Sequence, residues 1–191
     1  SEMCIRDSLT NPPTIPDSPW SWTYPYGFPQ PSQYAKLAAG KQYAVYSAPS
    51  DTSFRAANGK ALLSTNDWVQ VFFEEDGYLL VQYAISRHQY RIGYIKADAV
   101  SNLSEVAEIG SWANYPAQVL RTSALTDDPL NSCGAVMTLT VGQQVTYLGQ
   151  LGQEWAFVET TTAQGQRIRG FVELSELNVT RPDDADDNLN G

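Results

Sequence analysis

Tyr78-Leu79-Leu80-Val81 followed by Arg91-Ile92-Gly93-Tyr94-Ile95 is answered further along the chain by Trp155-Ala156-Phe157-Val158 and Ile168-Arg169-Gly170-Phe171-Val172. In each copy the leading aromatic precedes the glycine by fifteen residues, and the copies superpose without a gap at an offset of 77 residues. Repetition at a fixed offset marks one small module used twice. Short apolar runs bounded by turn residues, with no 3.6-residue period, make that module β.

Working outward from the first copy, strands are expected at Tyr34 to Leu37, Tyr43 to Tyr46, Trp68 to Phe73, Tyr78 to Tyr83 and Arg91 to Ile95. Ala48-Pro49-Ser50-Asp51 opens a long loop, Asn58-Gly59 marks a tight turn, and Glu75-Asp76-Gly77 closes a hairpin. Ser86-Arg87-His88-Gln89 forms the tip of another. The second copy predicts strands at Ala117 to Thr122, Val145 to Leu148, Trp155 to Thr160 and Arg167 to Val172. The domain reading is therefore a first repeat over 34–102, a linker over 103–116 and a second repeat over 117–179. Val106, Ile109 and Trp112 give the connecting stretch enough apolar surface to pack across the junction and make a semi-rigid pair.

Two modules drawn from 191 residues are each small for burying a core. Aromatic residues at 12% supply the large side chains such cores need. With 12 basic and 21 acidic side chains the formal net charge is −9, which argues against nucleic acid, since phosphate binding needs clustered Lys and Arg. Part of the acidity, Asp183, Asp184, Asp186 and Asp187, lies in the 180–191 tail and reads as solvated, with no metal expected. No apolar run is long enough to cross a bilayer. A single His88 and Cys133, placed in loops of different repeats, supply neither a working Cys-His pair nor the three or four ligands of a zinc site. Glu74, Glu75 and Asp76 read as a solvated turn rather than as an acid and base pair. The chain is thus read as non-catalytic and free of cofactors.

Residues 1–8 resemble an octapeptide produced by translating sequencing-adapter DNA and are set aside from the fold; the natural N-terminus is then expected upstream. In the 9–33 segment, seven prolines between Pro12 and Pro31 favour an extended linker. Trp20, Trp22, Tyr24, Tyr26 and Phe28 fall at every second position, on one side of such a strand. Contact of residues 19–31 with the first repeat is expected, as a tether or as an aromatic ligand for a groove.

Tyr43-Ala44-Val45-Tyr46-Ser47-Ala48-Pro49-Ser50, Trp68-Val69-Gln70-Val71, Gly77-Tyr78-Leu79-Leu80-Val81 and Gly93-Tyr94-Ile95 together resemble the bacterial SH3 (SH3b) family. Tyr46 stands where that family usually has Arg, Ala48 where it has Gly, and tyrosines where it has tryptophans. The second repeat departs further, with Arg121-Thr122-Ser123-Ala124-Leu125-Thr126-Asp127-Asp128-Pro129 in place of the compact motif. The resemblance implies an all-β chain of two small SH3-like barrels in tandem. It also implies an extracellular or cell-envelope setting and a peptidoglycan or cell-wall peptide as partner.

A groove at one rim of the barrel is expected to be lined by Tyr46, Phe54, Tyr78 and Tyr94, with Asp51 available to pair a ligand amine. Trp155 and Phe171 occupy the matching positions of the second repeat. Packing competes with ligand contact at Tyr78 and Tyr94, and Trp155 and Phe171 lean further toward core. Two other readings stay open: a structural spacer in a larger envelope protein, and an interaction module for Pro- and aromatic-rich peptides.

Overall fold

A computed structural model of the chain describes residues 33–37, 41–64, 68–86, 89–100, 103, 111–127, 129 and 135–182. The N-terminal half contributes β1 (Gln33–Lys36), β2 (Gln42–Ala44), β3 (Leu62–Ser64), β4 (Trp68–Glu75), β5 (Tyr78–Ser86) and β6 (Gln89–Lys96). The C-terminal half contributes β7 (Tyr115–Val119), β8 (Ser123–Thr126), β9 (Ala135–Leu139), β10 (Gln144–Leu151), β11 (Trp155–Thr161), β12 (Arg167–Glu173) and β13 (Leu177–Val179). The fold is all-β.

Neighbouring strands pair antiparallel in the order β1-β4-β5-β6, in a β2-β3 ribbon, and in a seven-stranded sheet β13-β7-β10-β11-β12-β8-β9. These ladders are open sheets; among the described residues none closes into a barrel. Strands β3, β8, β9 and β13 lie where no strand is expected from the sequence. The stretch read as one strand from Ala117 to Thr122 instead ends at Val119, and the chain turns into the β8-β9 hairpin. Strand β7 also begins at Tyr115, inside the stretch read as linker. The residues 1–32, His88, Val106, Ile109, Cys133 and the acidic run from Asp183 lie outside the described residues.

The duplicated motif has a physical cause in both halves. Tyr78 opposes Lys96, Leu80 opposes Tyr94 and Val81 opposes Gly93 across β5-β6. Trp155 opposes Glu173, Phe157 opposes Phe171 and Val158 opposes Gly170 across β11-β12, the same register at the same offset. A 3-10 turn follows each pair, Ala97–Ala99 and Leu174–Glu176. The preceding strands carry a register shift at corresponding places, Val71/Phe73 and Tyr147/Gly149, of the kind that bends a sheet. The first hairpin turns on Asp76 (φ 50°) and Gly77 (φ 82°), the two positive φ angles of a type I′ turn.

The two motif glycines are required by close approach. A Cβ at Gly93 would collide with Val45 Cγ1; one at Gly170 would sit 2.8 Å from Leu125 Cγ and 2.9 Å from the Thr126 carbonyl oxygen. In each half the segment after the first strands therefore crosses tightly over the glycine, as a Tyr46-Tyr94 bridge in one and a Thr126-Phe171 pair in the other.

Three apolar clusters result. One lies under the N-terminal sheets around Leu63, Val69, Val81 and Ile95, and one inside the C-terminal sheet around Val119, Leu125, Val158 and Ile168. The third joins the halves, bringing Phe72, Phe73 and Leu80 against Leu148, Phe157 and Phe171. Trp112, from the connecting stretch, wedges between them with ring centroids 5.4 Å from Phe73 and 5.5 Å from Phe157.

Candidate functional site

Tyr46 is held by two reciprocal backbone hydrogen bonds with Tyr94, Tyr46 N to Tyr94 O and Tyr94 N to Tyr46 O, each 2.8 Å. Tyr78 opens β5 directly after the type I′ turn, which carries its ring to the same rim. The two half-buried rings meet edge to face, with centroids 5.8 Å apart and planes at 84°. The Arg55 guanidinium lies over the Tyr46 ring at 5.4 Å. Arg55 also donates from Nη2 to the Ala61 carbonyl at 2.8 Å, so it ties the long loop to the rim.

Asp51 stands exposed beside this pair. Partial burial, and then the Asp51 carboxylate, push the Tyr78 hydroxyl above its ordinary pKa, while Lys96 and a hydrogen bond with the Asp51 backbone pull the other way. The loop that presents Asp51 is pinned by Ser53, whose hydroxyl donates to the Ser50 carbonyl at 2.7 Å or to that of Ala48 at 3.1 Å. A firm loop with a water-facing carboxylate next to two phenol rings suits an ammonium group attached to a flat or apolar body.

Of the other sequence-predicted residues, Phe54 lines a pocket with Tyr46 and a cleft with Asp51, whereas Tyr94 and Phe171 do not reach this surface. Tyr94 is 0% exposed and Phe171 1% exposed, so neither can line a groove. Both lie in the junction cluster, where the opposite half of the molecule covers them. Trp155 is half-buried against the junction cluster, as Tyr46 and Tyr78 are, at the matching place of the C-terminal half. Phe54 is also half-buried; its ring packs on the C-terminal core, and its amide donates to the Arg167 carbonyl at 2.8 Å.

Beneath the rim lies a buried polar network that the sequence reading missed. Arg169 reaches from β12 into the junction, pairing Nη1 with Glu75 Oε1 at 2.9 Å and Nε with Glu159 Oε2 at 2.6 Å. Its Nη1 also donates to the Tyr94 hydroxyl at 2.8 Å, and that hydroxyl donates to Glu75 Oε1 at 3.0 Å. Trp112 Nε1 donates to the same carboxylate at 3.2 Å. Arg91 makes the reverse pairing, from the N-terminal half to Asp127 of the C-terminal half at 3.2 Å. Each half thus buries one arginine against a carboxylate supplied by the other.

Burial works against the charge on Arg169, but Tyr94, Glu75 and Glu159 outweigh it and hold the guanidinium above its ordinary pKa. Burial would likewise raise Glu159, yet Arg169 and Arg167 hold its carboxyl below the usual range. Tyr94 is pushed well above an ordinary phenol, by burial first and Glu75 next, with Arg169 opposing. The signal for the network is present in the repeat: Arg91-Ile92 in one copy is Ile168-Arg169 in the other, so the cation changes face between copies.

No family model matches the chain, and no curated protein matches it. Among solved structures, NlpC2 from Trichomonas vaginalis is 11% identical with a TM-score of 0.30, over 77% of this chain and 47% of that one. NlpC1 from the same organism is 15% identical with a TM-score of 0.29, over 89% of this chain and 52% of that one. The chain spans about half the length of each. At this distance neither likeness carries an argument about fold or activity.

Proposed function

We propose that the chain is a tandem of two SH3-like modules similar to bacterial SH3 domains, left as open barrels and fused face to face. In this reading it is a non-catalytic module of a secreted or cell-envelope protein that binds peptidoglycan or a cell-wall peptide. The order β13-β7-β10-β11-β12, with a hairpin folded back over β12, is consistent with the five- to six-stranded plan that the sequence resemblance implies. The observation that carries the function is the Tyr46-Tyr78 ring pair at the rim with Asp51 beside it. Among the described residues no ion pair occupies the Asp51 carboxylate, which leaves it available to a ligand ammonium.

Co-sedimentation of the full chain with purified peptidoglycan, with and without its peptide stems, tests this directly. Binding that requires the stems and falls at least about tenfold in Tyr46→Ala/Tyr78→Ala, with the fold intact, is the expected result. Failure of the wild-type chain to sediment with either preparation would overturn it. The reciprocal buried ion pairs favour a second reading, a rigid spacer, which such a failure would promote.

A further inference from the structure

The loop that carries Asp51 does not end at the aromatic rim. It continues into an open cleft of about 410 Å³ whose wall includes Asp51, Phe54, Arg55, Asn58 and Gly59 from the N-terminal half and Gln166 from the β11-β12 turn of the C-terminal half. Two contacts fix the distance between those walls: the Phe54 amide donates to the Arg167 carbonyl at 2.8 Å, and Ser47 Oγ donates to the same oxygen at 3.4 Å. The cleft is therefore complete only when both halves are present.

Its chemistry is complementary to more than an amine. Arg55 spends Nε and Nη2 on the Val45 and Ala61 carbonyls, and among the described residues its Nη1 has no protein acceptor. The Asn58 and Gln166 side chains face solvent with no protein partner among the described residues. The floor turn, Ala56–Gly59, holds three successive residues at positive φ: Ala57 at 56°, Asn58 at 55° and Gly59 at 81°. Ala57 is disfavoured in that conformation and is buried, so packing around it holds the floor turn in place. A carboxylate at one end, a guanidinium amino group further in and two amides on opposite walls fit an extended peptide bearing both charges.

Building on the reading of Tyr46 and Tyr78 as a peptide groove, we propose that this cleft is its second subsite. In it Arg55, Asn58 and Gln166 bind the carboxylate-bearing end of a peptide whose ammonium group pairs with Asp51. Specificity would then be for a peptide with a free carboxylate, and the C-terminal half would contribute a ligand-contacting residue, Gln166.

The test is calorimetric titration of the full chain with the tetrapeptide L-Ala-γ-D-Glu-L-Lys-D-Ala and with the same peptide amidated at every carboxyl. We expect amidation to weaken binding about tenfold, the worth of one charge-assisted contact. Gln166→Trp, which fills the cleft from an exposed turn, should weaken the free acid similarly and the amidated peptide less. Arg55→Lys, which keeps the charge and loses the fork, should weaken the free acid as well. Binding that still depends on Tyr46 and Tyr78 but ignores either amidation or Gln166→Trp would overturn the second subsite alone. No binding of either peptide by the wild-type chain would overturn the groove and the subsite together.

Discussion

The two halves hold the same strand pair in the same register, yet they spend the matching positions differently. At the bridge over the motif glycine the N-terminal half places Tyr46, whose ring stays half-exposed and meets Tyr78. The C-terminal half places Thr126 there, buried, while its Tyr78 counterpart Trp155 packs at the edge of the junction cluster, as Tyr46 and Tyr78 also do. One copy keeps a rim with two phenols and a carboxylate; the other has a single ring at the matching place beside a buried threonine. The lesson is that a duplicated β framework fixes where side chains stand, while the surface that covers them decides whether they bind or pack.

The junction offers the strongest way to break this comparison. Arg169→Ala takes the cation from Glu75, which keeps only the neutral donors Tyr94 and Trp112, and leaves Glu159 to Arg167 alone; it should cost about 3–5 kcal/mol in denaturant unfolding. Arg91→Ala removes the cation from one carboxylate, Asp127, where Arg169→Ala removes it from two, and should cost less. Equal losses, or a loss below about 1 kcal/mol at Arg169, would mean that the pairs do not hold the halves together.

The glycines sharpen it next. Gly170→Ala and Gly93→Ala should each cost about 1–3 kcal/mol as overpacking. The two should differ in how they are relieved. At Gly93 the obstruction is the Val45 side chain, so Val45→Ala should recover much of the loss in a double-mutant cycle. At Gly170 the Thr126 carbonyl is also in the way, so Leu125→Ala should recover little. Full rescue at Gly170 would show that the backbone crossing is looser than described.

How much of this was legible follows the same division. Glu75-Asp76-Gly77 was readable as the tight turn and Gly93 and Gly170 as anchors of the repeat, but the crossing over those glycines and the change of charged face between Arg91-Ile92 and Ile168-Arg169 were not read from them. Strands β8 and β9 were not legible, because Thr126-Asp127-Asp128-Pro129 carries turn residues that hide the flanking short strands. The three-residue β13 is too short for any period to register. Tyr46, Asp51 and Tyr78 were placed together by the loop and rim pattern, and the structure brings them together. Tyr94 and Phe171 were named as groove candidates with packing as the competing role, and both are buried, because a single sequence says nothing about a second sheet arriving to cover them.

A smaller effect concerns acid. The Glu159 carboxyl titrates below its unfolded value, so its contribution to stability is complete above the ordinary carboxylate range and is lost as pH falls through the lowered folded value. Thermal midpoints should therefore drop on acidification below about pH 4 more steeply for the wild type than for Glu159→Gln. Parallel curves would assign the acid sensitivity to other groups. Smallest in stability, about 0.5–1.5 kcal/mol, should be Tyr46→Ala, since it removes one edge-to-face pair at a half-exposed rim. Its larger consequence should be on binding, whereas Trp155→Ala should destabilise and leave the affinity of the folded protein unchanged.

The account stands most directly on where a ligand lands. Titrating isotope-labelled chain with soluble peptidoglycan stem peptide and following backbone amide shifts would locate it. We predict shifts at Tyr46, Asp51, Arg55 and Tyr78 that saturate together, with Thr126 and Ala156 unmoved. Shifts concentrated at Thr126 and Ala156, or none at Tyr46 and Tyr78, would contradict it.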